Sequence, residues 1–168
     1  MTARPRGVTS RPETSDEFKL EEFLPYRLSV AAHRVSRLFA AQYSEMFDLS
    51  IPELRVLATV GRFGAISPSA VGEWAAMDKV KVSRAAGSLV ARGLLRQSPH
   101  PEDGRGRLLR LTRKGASVQN GVIPLARELE ASLSQGLGST EWRALNRALA
   151  RLNTHVERIV GRDAEDME

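Results

Sequence analysis

The sequence predicts a mainly α-helical fold with one short pair of β-strands. Only 5% of the 168 residues are aromatic, so the core must be mainly aliphatic, as it often is between packed helices. Helix-capping residues precede several segments with helical apolar spacing. The spacing changes only after Gly93, where a short strand-like run begins. Together these observations favour a helical protein with a small β element.

The N-terminal part is predicted to contain a flexible arm and one long helix. Residues 1–17 are rich in Pro, Arg, Thr and Ser and carry little to bury. Residues 18–48 are assigned to helix 1. Its main part runs from Pro25, which suits a first helical turn, to about Phe47.

Three shorter helices should follow, and a capping residue precedes each of them. Ser50, Ser67 and Asp78 can accept hydrogen bonds from the unpaired amides of a first helical turn. The first of these helices should end between residues 61 and 64. The last should end at Gly93, because glycine readily adopts the left-handed conformation of a helix terminus.

Two strands and two further helices complete the predicted elements. The strands cover residues 94–98 and 107–112, on either side of a loop rich in Pro, Asp and Gly. Thr112 caps a helix to about Gln135, which Pro124 should kink or split. Ser139 caps a last helix with one apolar face at spacings of three and four residues: Trp142, Leu145, Leu149, Leu152, Val156 and Ile159.

This order of elements is typical of a winged helix-turn-helix with an α+β wing and long N- and C-terminal helices. The predicted organisation comprises five segments: a flexible arm (1–17), helix 1 (18–48), a winged helix-turn-helix lobe (49–112), C-terminal helices (113–162) and an acidic tail (163–168). Such a lobe indicates binding to double-stranded DNA.

The distribution of charge supports the same interpretation. The net charge is +5, but the segment from Lys79 to Lys114 holds ten basic residues against Glu102 and Asp103, giving +8 there and −3 elsewhere. Such focusing is expected of a surface that contacts phosphates. On charge alone, an ordinary solvated basic face remains the alternative.

The sequence indicates no enzyme. It has no cysteine, which excludes disulfides and thiolate metal sites, and its three histidines are scattered. We find no catalytic constellation, phosphate-binding glycine pattern or metal-ligand spacing, and therefore expect no cofactor and no metal. No apolar run approaches the length of a membrane span, so we expect a cytoplasmic protein without membrane contact.

The helix after Asp78 has two contrasting faces. On a helical wheel Val82, Ala86 and Leu89 form a packing side. The opposite side is expected to be free and to enter a major groove, where Arg can pair with guanine and Val can contact a thymine methyl; it holds Val80, Arg84, Gly87 and Ser88. Lys79, Lys81 and Ser83 lie nearer the helix start and are expected to reach phosphates. An ordinary surface helix is the alternative.

Asp103 and Arg105 are predicted to lie at the tip of the wing. A carboxylate two residues away can hold a guanidinium in a fixed orientation, and an oriented arginine suits a narrow minor groove. A solvated turn with a local ion pair is the plain alternative.

These residues carry a family resemblance. Residues 77–84, followed by Leu89, Arg92-Gly93-Leu94 and Arg96, resemble the recognition helix of the MarR family of bacterial regulators. Residues 103–105, followed by Leu109, Leu111-Thr112 and Gly115, are similar to that family's wing signature. With the similar segment 50–56, the resemblance covers roughly residues 20 to 160.

The resemblance implies minor-groove contact by Arg105, with Arg107 and Arg110 near the DNA backbone. It also implies a homodimer in which the terminal helices interlock across a two-fold axis. The expected interface residues are Leu28, Trp142, Leu145, Leu149, Leu152 and Val156. The alternative is that the last helix simply covers the core of its own subunit.

The resemblance further implies a small effector at the junction of the lobe and the dimerisation helices, often an aromatic acid or a related anion, or the thioester of such an acid. His33, Tyr43, Arg55 and Trp74 are the candidate contacts. Each has an ordinary structural alternative; Trp74, for example, would more often belong to the core. The sequence thus predicts a ligand-responsive DNA-binding regulator that acts as a repressor, and the rival prediction is a protein-interaction module for an acidic partner.

Overall fold

The computed structural model describes residues 18–101 and 106–165, with side chains described as far as residue 160. The described part is helical apart from one antiparallel pair of strands, which confirms the predicted fold class. The elements are α1 (Leu24–Phe47), α2 (Ile51–Phe63), α3 (Pro68–Ala75), α4 (Lys79–Ala91), β1 (Leu95–Pro99), β2 (Arg107–Leu111), α5 (Arg113–Ser134) and α6 (Ser139–Glu165).

The chain divides after Leu38 into two compact units. In the first unit, the rings of Phe18 and Phe23 meet edge to face with centroids 5.3 Å apart, and both side chains are exposed. The first unit thus presents aromatic surface just before and at the start of α1.

In the second unit, the buried core is almost entirely aliphatic. It is built from three residues of α2, one of α3 and four of α4, with leucines of the wing and of α5 around them. Tyr43 is the only aromatic residue among the buried core residues described. Helices that share such a core hold one another in place, and the short helix α3 depends on that packing because an isolated helix of this length is unstable.

Four of the five predicted capping residues act as expected. The side chains of Ser50, Ser67, Asp78 and Thr112 accept backbone amide hydrogens three residues later, at 3.4, 3.2, 2.8 and 3.0 Å respectively. Each bond satisfies an amide that a helix would otherwise leave unpaired. Local sequence therefore fixes where these four helices begin.

The wing is joined to the helices by backbone pairing. β1 and β2 pair from Leu95 opposite Leu111 to Pro99 opposite Arg107. Ile66, in the linker between α2 and α3, forms an isolated bridge with Leu109, with N–O distances of 2.8 and 3.2 Å. The base of the wing is therefore fixed to the helix-turn-helix.

Three predictions about the C-terminal helices need correction. The predicted split at Pro124 does not occur, because α5 is continuous from Arg113 to Ser134, and the alternative of a kink stays a prediction. Ser139 is the first residue of α6 rather than a cap that precedes it, and the Gly138 amide donates to Glu141 Oε2 at 3.0 Å. The predicted acidic tail is helical as far as Glu165, and residues 166–168 lie outside the described part.

The C-terminal end of α4, the wing and α5 meet at one junction. The hydroxyl of Thr112 donates to Gly93 O at 2.7 Å, and the backbone amide of Thr112 donates to Leu94 O at 3.0 Å. A Cβ on Gly115 would lie only 1.9 Å from the same Leu94 oxygen. The first turn of α5 can therefore approach this junction only because residue 115 has no side chain.

We predict that Gly115→Ala lowers the free energy of unfolding by about 2 to 3 kcal/mol, because backbone atoms must shift to admit the methyl group. Urea denaturation at a fixed protomer concentration measures this change. The matched control is Gly87→Ala on α4, where an added Cβ meets nothing within 4 Å. That substitution should raise stability by about 0.5 to 1 kcal/mol through helix propensity. Equal stabilities for the two variants would contradict the prediction.

Candidate nucleic-acid interface

A tight turn sets the angle between α3 and α4. Ala76 adopts the left-handed conformation at φ 50° and ψ 53°, and the Met77 amide donates to Gly72 O at 2.9 Å. A Cβ on Gly72 would lie 2.9 Å from Met77 O, closer than such contacts allow. The absence of a side chain at residue 72 thus lets the turn close against α3.

The two faces of α4 agree with the predicted wheel, apart from Ser88. Val82, Ala86 and Leu89 are buried, together with Ala85. The exposed residues are Lys79, Val80, Lys81, Ser83, Arg84, Gly87 and Ala91. Val80 is 59% exposed, which leaves an aliphatic side chain in water on a face that also carries Arg84. This face has the composition of a surface that reads base edges in a major groove.

The prediction that Ser88 belongs to the free face is wrong. Ser88 is partly buried, and its hydroxyl donates a 2.5 Å hydrogen bond to Glu53 Oε1 of α2. Burial acts to raise the pKa of Glu53, but hydrogen bonds from Ser50 and Ser88, together with the charge of Arg92, outweigh it and leave the pKa below its ordinary value of 4.5. Glu53 therefore faces α4 as a carboxylate at neutral pH.

The start of α4 concentrates charged and polar groups. The Lys81 amide donates to Asp78 Oδ1, and the Lys81 ammonium lies 2.9 Å from Asp78 Oδ2. These two contacts, the amide bond first, lower the pKa of the Asp78 carboxyl. Both side chains are exposed, so the pair is weak and the ammonium can turn to a phosphate.

A groove of about 900 Å³ lies between α3 and α4. One wall carries Ser69 and Glu73 of α3, the other carries Lys79 and Ser83 of α4, and Gln97 of β1 also lines it. No pattern in the sequence had indicated the α3 residues or Gln97 as candidate DNA contacts. An alternation of exposed polar residues along α3 resembles any solvated helix face, and only the fold shows that they flank the predicted DNA contacts.

The wing residues are only partly described. Asp103 and Arg105, the predicted wing-tip pair, lie outside the described residues. Arg107 is exposed at the start of β2, and Arg110 lies opposite Arg96 in the strand register. The described strands thus add three guanidinium groups to the basic surface.

The four effector candidates lie in different environments. His33 is exposed on the part of α1 in the first unit. Tyr43 is 3% exposed and meets Phe39 edge to face, and burial raises its pKa. Arg55 donates to Ala75 O at 3.3 Å, beside Trp74. Arg55 therefore contacts the backbone of the residue that follows Trp74, whereas Tyr43 belongs to the core.

Trp74 is not a core residue. It is 61% exposed, and its ring centroid lies 4.9 Å from that of Phe63. The Arg62 guanidinium lies 5.3 Å from the Trp74 ring and 5.4 Å from the Phe63 ring. A cation over aromatic faces is a favourable contact, and the exposed indole can still stack on a further ring.

The apolar face of α6 is open in the single chain. Leu145, Leu149, Val156 and Ile159 are exposed, while Trp142 and Leu152 are half-buried. Leu28, in the first unit, is half-buried as well. No residue of α6 up to position 160 is fully buried, which argues against the alternative that this helix covers the core of its own subunit. An apolar face of this kind needs a partner.

The described residues show neither a metal-binding cluster nor a membrane-spanning helix. In residues 18–101 and 106–165 no group of three or more His, Asp or Glu side chains is arranged to hold a metal ion. No helix in the same part of the chain combines the length and apolarity needed to cross a bilayer.

Comparison with known proteins gives consistent matches. Residues 47–106 match a family model described as the MarR family. The HTH-type transcriptional repressor IacR of Pseudomonas putida is 28% identical over 144 residues, which cover 86% of each chain. The multiple antibiotic resistance protein MarR of Escherichia coli is 26% identical over 141 residues, covering 83% of this chain and 96% of that protein.

Solved structures agree in fold and extent. BpsR of Bordetella bronchiseptica, whose structure was described for regulation of its DNA binding by 6-hydroxynicotinic acid, superimposes with a TM-score of 0.74 at 26% identity. The match covers 82% of this chain and 97% of BpsR. These relatives are transcription regulators and not enzymes, in agreement with the resemblance that the sequence indicated.

Proposed function

We propose that this chain is a DNA-binding transcription regulator of the MarR family, whose family model matches residues 47–106, and that it is a cytoplasmic, ligand-responsive repressor that binds a pseudo-palindromic operator as a homodimer. The observation that carries the proposal is the exposed face of α4, which presents Val80, Arg84 and Gly87, with Lys79 and Lys81 exposed at the start of the helix. Repression follows the relative IacR, which is named a repressor.

The proposed division of roles follows from position on α4 and the wing. Arg84 and Val80 contact base edges, and Gly87 lets the helix backbone come close to the DNA. Lys79, Lys81 and Ser83 contact phosphates near the helix start. On the wing, Arg105 enters the minor groove oriented by Asp103, while Arg107 contacts the backbone.

The dimer is proposed from the open apolar face of α6, with Leu28 of α1 contributing. A two-fold axis would place two recognition helices about 34 Å apart, which is the spacing of successive major grooves. The same face on a second copy is the simplest partner for residues such as Leu149 and Val156, because a two-fold interface uses one surface twice.

The first prediction tests sequence reading by α4. DNase footprinting on selected duplexes should show a protected palindrome of about 20 base pairs. Arg84→Ala should cost about 1 to 3 kcal/mol on that site and relax the preference at one base in each half-site. Lys81→Ala should weaken binding to operator and random duplex alike and reduce the salt slope by about one.

The control for these variants is Arg127→Ala, which removes one exposed positive charge from α5, outside the lobe. It should leave both affinities nearly unchanged. Uniform, salt-sensitive protection of every duplex would favour the rival function, in which the basic face binds an acidic protein partner. An unaltered base preference in Arg84→Ala would remove the role assigned to that side chain.

The second prediction tests the dimer. Leu149→Glu places a charge within the apolar face of α6 and should give a monomer in sedimentation analysis. Operator affinity should then fall about a hundred-fold or more, because two linked half-site contacts become one. Thr154→Glu, on the opposite face of α6, is the matched control and should remain dimeric. A dimeric Leu149→Glu protein would place the interface elsewhere.

The third prediction tests ligand response. A ligand releases DNA only if it binds the DNA-incompetent state more tightly, and a ten-fold loss of operator affinity requires about 1.4 kcal/mol of such preference. The probe is 6-hydroxynicotinate, since 6-hydroxynicotinic acid regulates DNA binding by BpsR. Trp74→Ala should reduce the response without changing operator affinity in the absence of ligand. If neither this compound nor other aromatic acids change the operator affinity, the regulator has no aromatic effector.

A further inference from the structure

One carboxylate joins α2 to the recognition helix. Glu53 Oε2 accepts from the Ser50 amide at 2.8 Å and from the Ser50 hydroxyl at 2.6 Å, completing the cap of α2. The other oxygen, Oε1, accepts from the Ser88 hydroxyl of α4 and lies 3.6 Å from Arg92 Nη1. Only 12% of the Glu53 side chain is exposed, so these contacts lie largely out of water, where charge-assisted hydrogen bonds are strong.

Arg92, which caps the C-terminal end of α4, extends the connection to the end of α1. Its guanidinium donates to Asp48 O at 2.6 Å and to Phe47 O at 3.2 Å. It also lies 3.4 Å from the Asp48 carboxylate. Asp48 itself is held in the left-handed region at φ 53°, a conformation that non-glycine residues seldom adopt. The end of α1, the start of α2 and the end of α4 therefore share one polar network.

This network lies directly behind the proposed base-contacting surface. Ser88 follows Arg84 by one helical turn, and both line a recess of about 360 Å³ whose other residues include Ser50, Glu53 and Lys81. Arg84 and Lys81 form no ion pair with Glu53 within 4 Å, so their charges remain available to DNA. A single rotation of α4 about its axis would therefore move both residues. It would take Ser88 away from Glu53 and turn Arg84 away from its present direction.

We propose that Glu53 is a positioning residue for DNA reading: through Ser88 and Arg92 it fixes the orientation of α4 relative to the end of α1 and thereby directs Arg84. This inference rests on the proposed function, since it assumes that α4 reads sequence. Glu53 itself does not touch DNA in this scheme. A carboxylate so close to a DNA-binding face repels phosphates, and its contacts with Ser50 of α2 and Ser88 of α4 offset that repulsion.

The test separates positioning from capping and from charge. Ser88→Ala removes the hydrogen bond from α4 to Glu53 and leaves the Arg92 contact in place, whereas Ser50→Ala weakens the cap of α2 and leaves both contacts of Glu53 with α4 intact. Glu45→Gln, at an exposed position of α1, removes one negative charge as Glu53→Gln does. For each variant, affinity for the footprinted operator and for a random duplex is measured at one salt concentration, and the ratio of the two affinities is the readout.

Positioning predicts that the operator-to-random ratio falls about ten-fold in Glu53→Gln and in Ser88→Ala, the effect of losing one charge-assisted hydrogen bond. The double variant should lose little more than either single one, because both remove the same link. Glu45→Gln should have the same operator-to-random ratio as the unmodified protein. Ser50→Ala should lower the free energy of unfolding and leave the ratio unchanged. A purely electrostatic role predicts instead that Glu53→Gln binds all DNA more tightly. An unchanged ratio in Ser88→Ala overturns the proposal.

A second measurement does not involve DNA. Amide hydrogen exchange should accelerate in the C-terminal half of α4 in Ser88→Ala, relative to α2, because α4 loses its hydrogen bond to Glu53 at the start of α2. If the unmodified protein prefers no DNA sequence, the proposed function fails. Hydrogen exchange then still tests whether Glu53 holds α4 in place. Accelerated exchange then supports the hold of Glu53 on α4, and unchanged exchange overturns it.

Discussion

The lobe depends on the close approach of α5 to the carbonyl oxygen of Leu94. This oxygen accepts hydrogen bonds from the amide and the hydroxyl of Thr112. A side chain at residue 115 would clash with it, and Gly115 has none. Because Leu94 lies between the end of α4 and the start of β1, one small contact sets the recognition helix, the wing and α5 against one another. The aliphatic core then fills the space that this backbone arrangement encloses.

Polar contacts with the ends of helices recur throughout the second unit. Lys114 donates to the Arg92 carbonyl, Arg92 donates to the last carbonyls of α1, and Glu53 closes the start of α2. Each contact satisfies backbone groups that a helix cannot pair by itself. In a lobe whose helices are as short as α3, such contacts determine how the helices are oriented. The apolar core is less directional and mainly provides the stability of the lobe.

Local signals in the sequence predicted most of the fold. The caps at Ser50, Ser67, Asp78 and Thr112 involve residues only three positions apart, and the apolar wheel of α4 reports its own packing side. The same wheel placed Ser88 on the free side, since its partner Glu53 lies 35 residues away and enters only through the packing of α2 on α4. Trp74 was a candidate for the core by residue type, yet the smaller Val71 occupies that place. Long-range pairing of this kind leaves no mark on periodicity.

The contact between Gly72 and the Met77 carbonyl bears on how affinity for DNA can be changed. The Met77 amide donates to Gly72 O, a Cβ on residue 72 would meet Met77 O at 2.9 Å, and Asp78 and Ala76 fix the conformation of the turn on either side of Met77. Such a turn makes a poor hinge. A signal that alters DNA binding must therefore displace α3 and α4 together as a rigid body, and the joints that yield have to lie outside the helix-turn-helix.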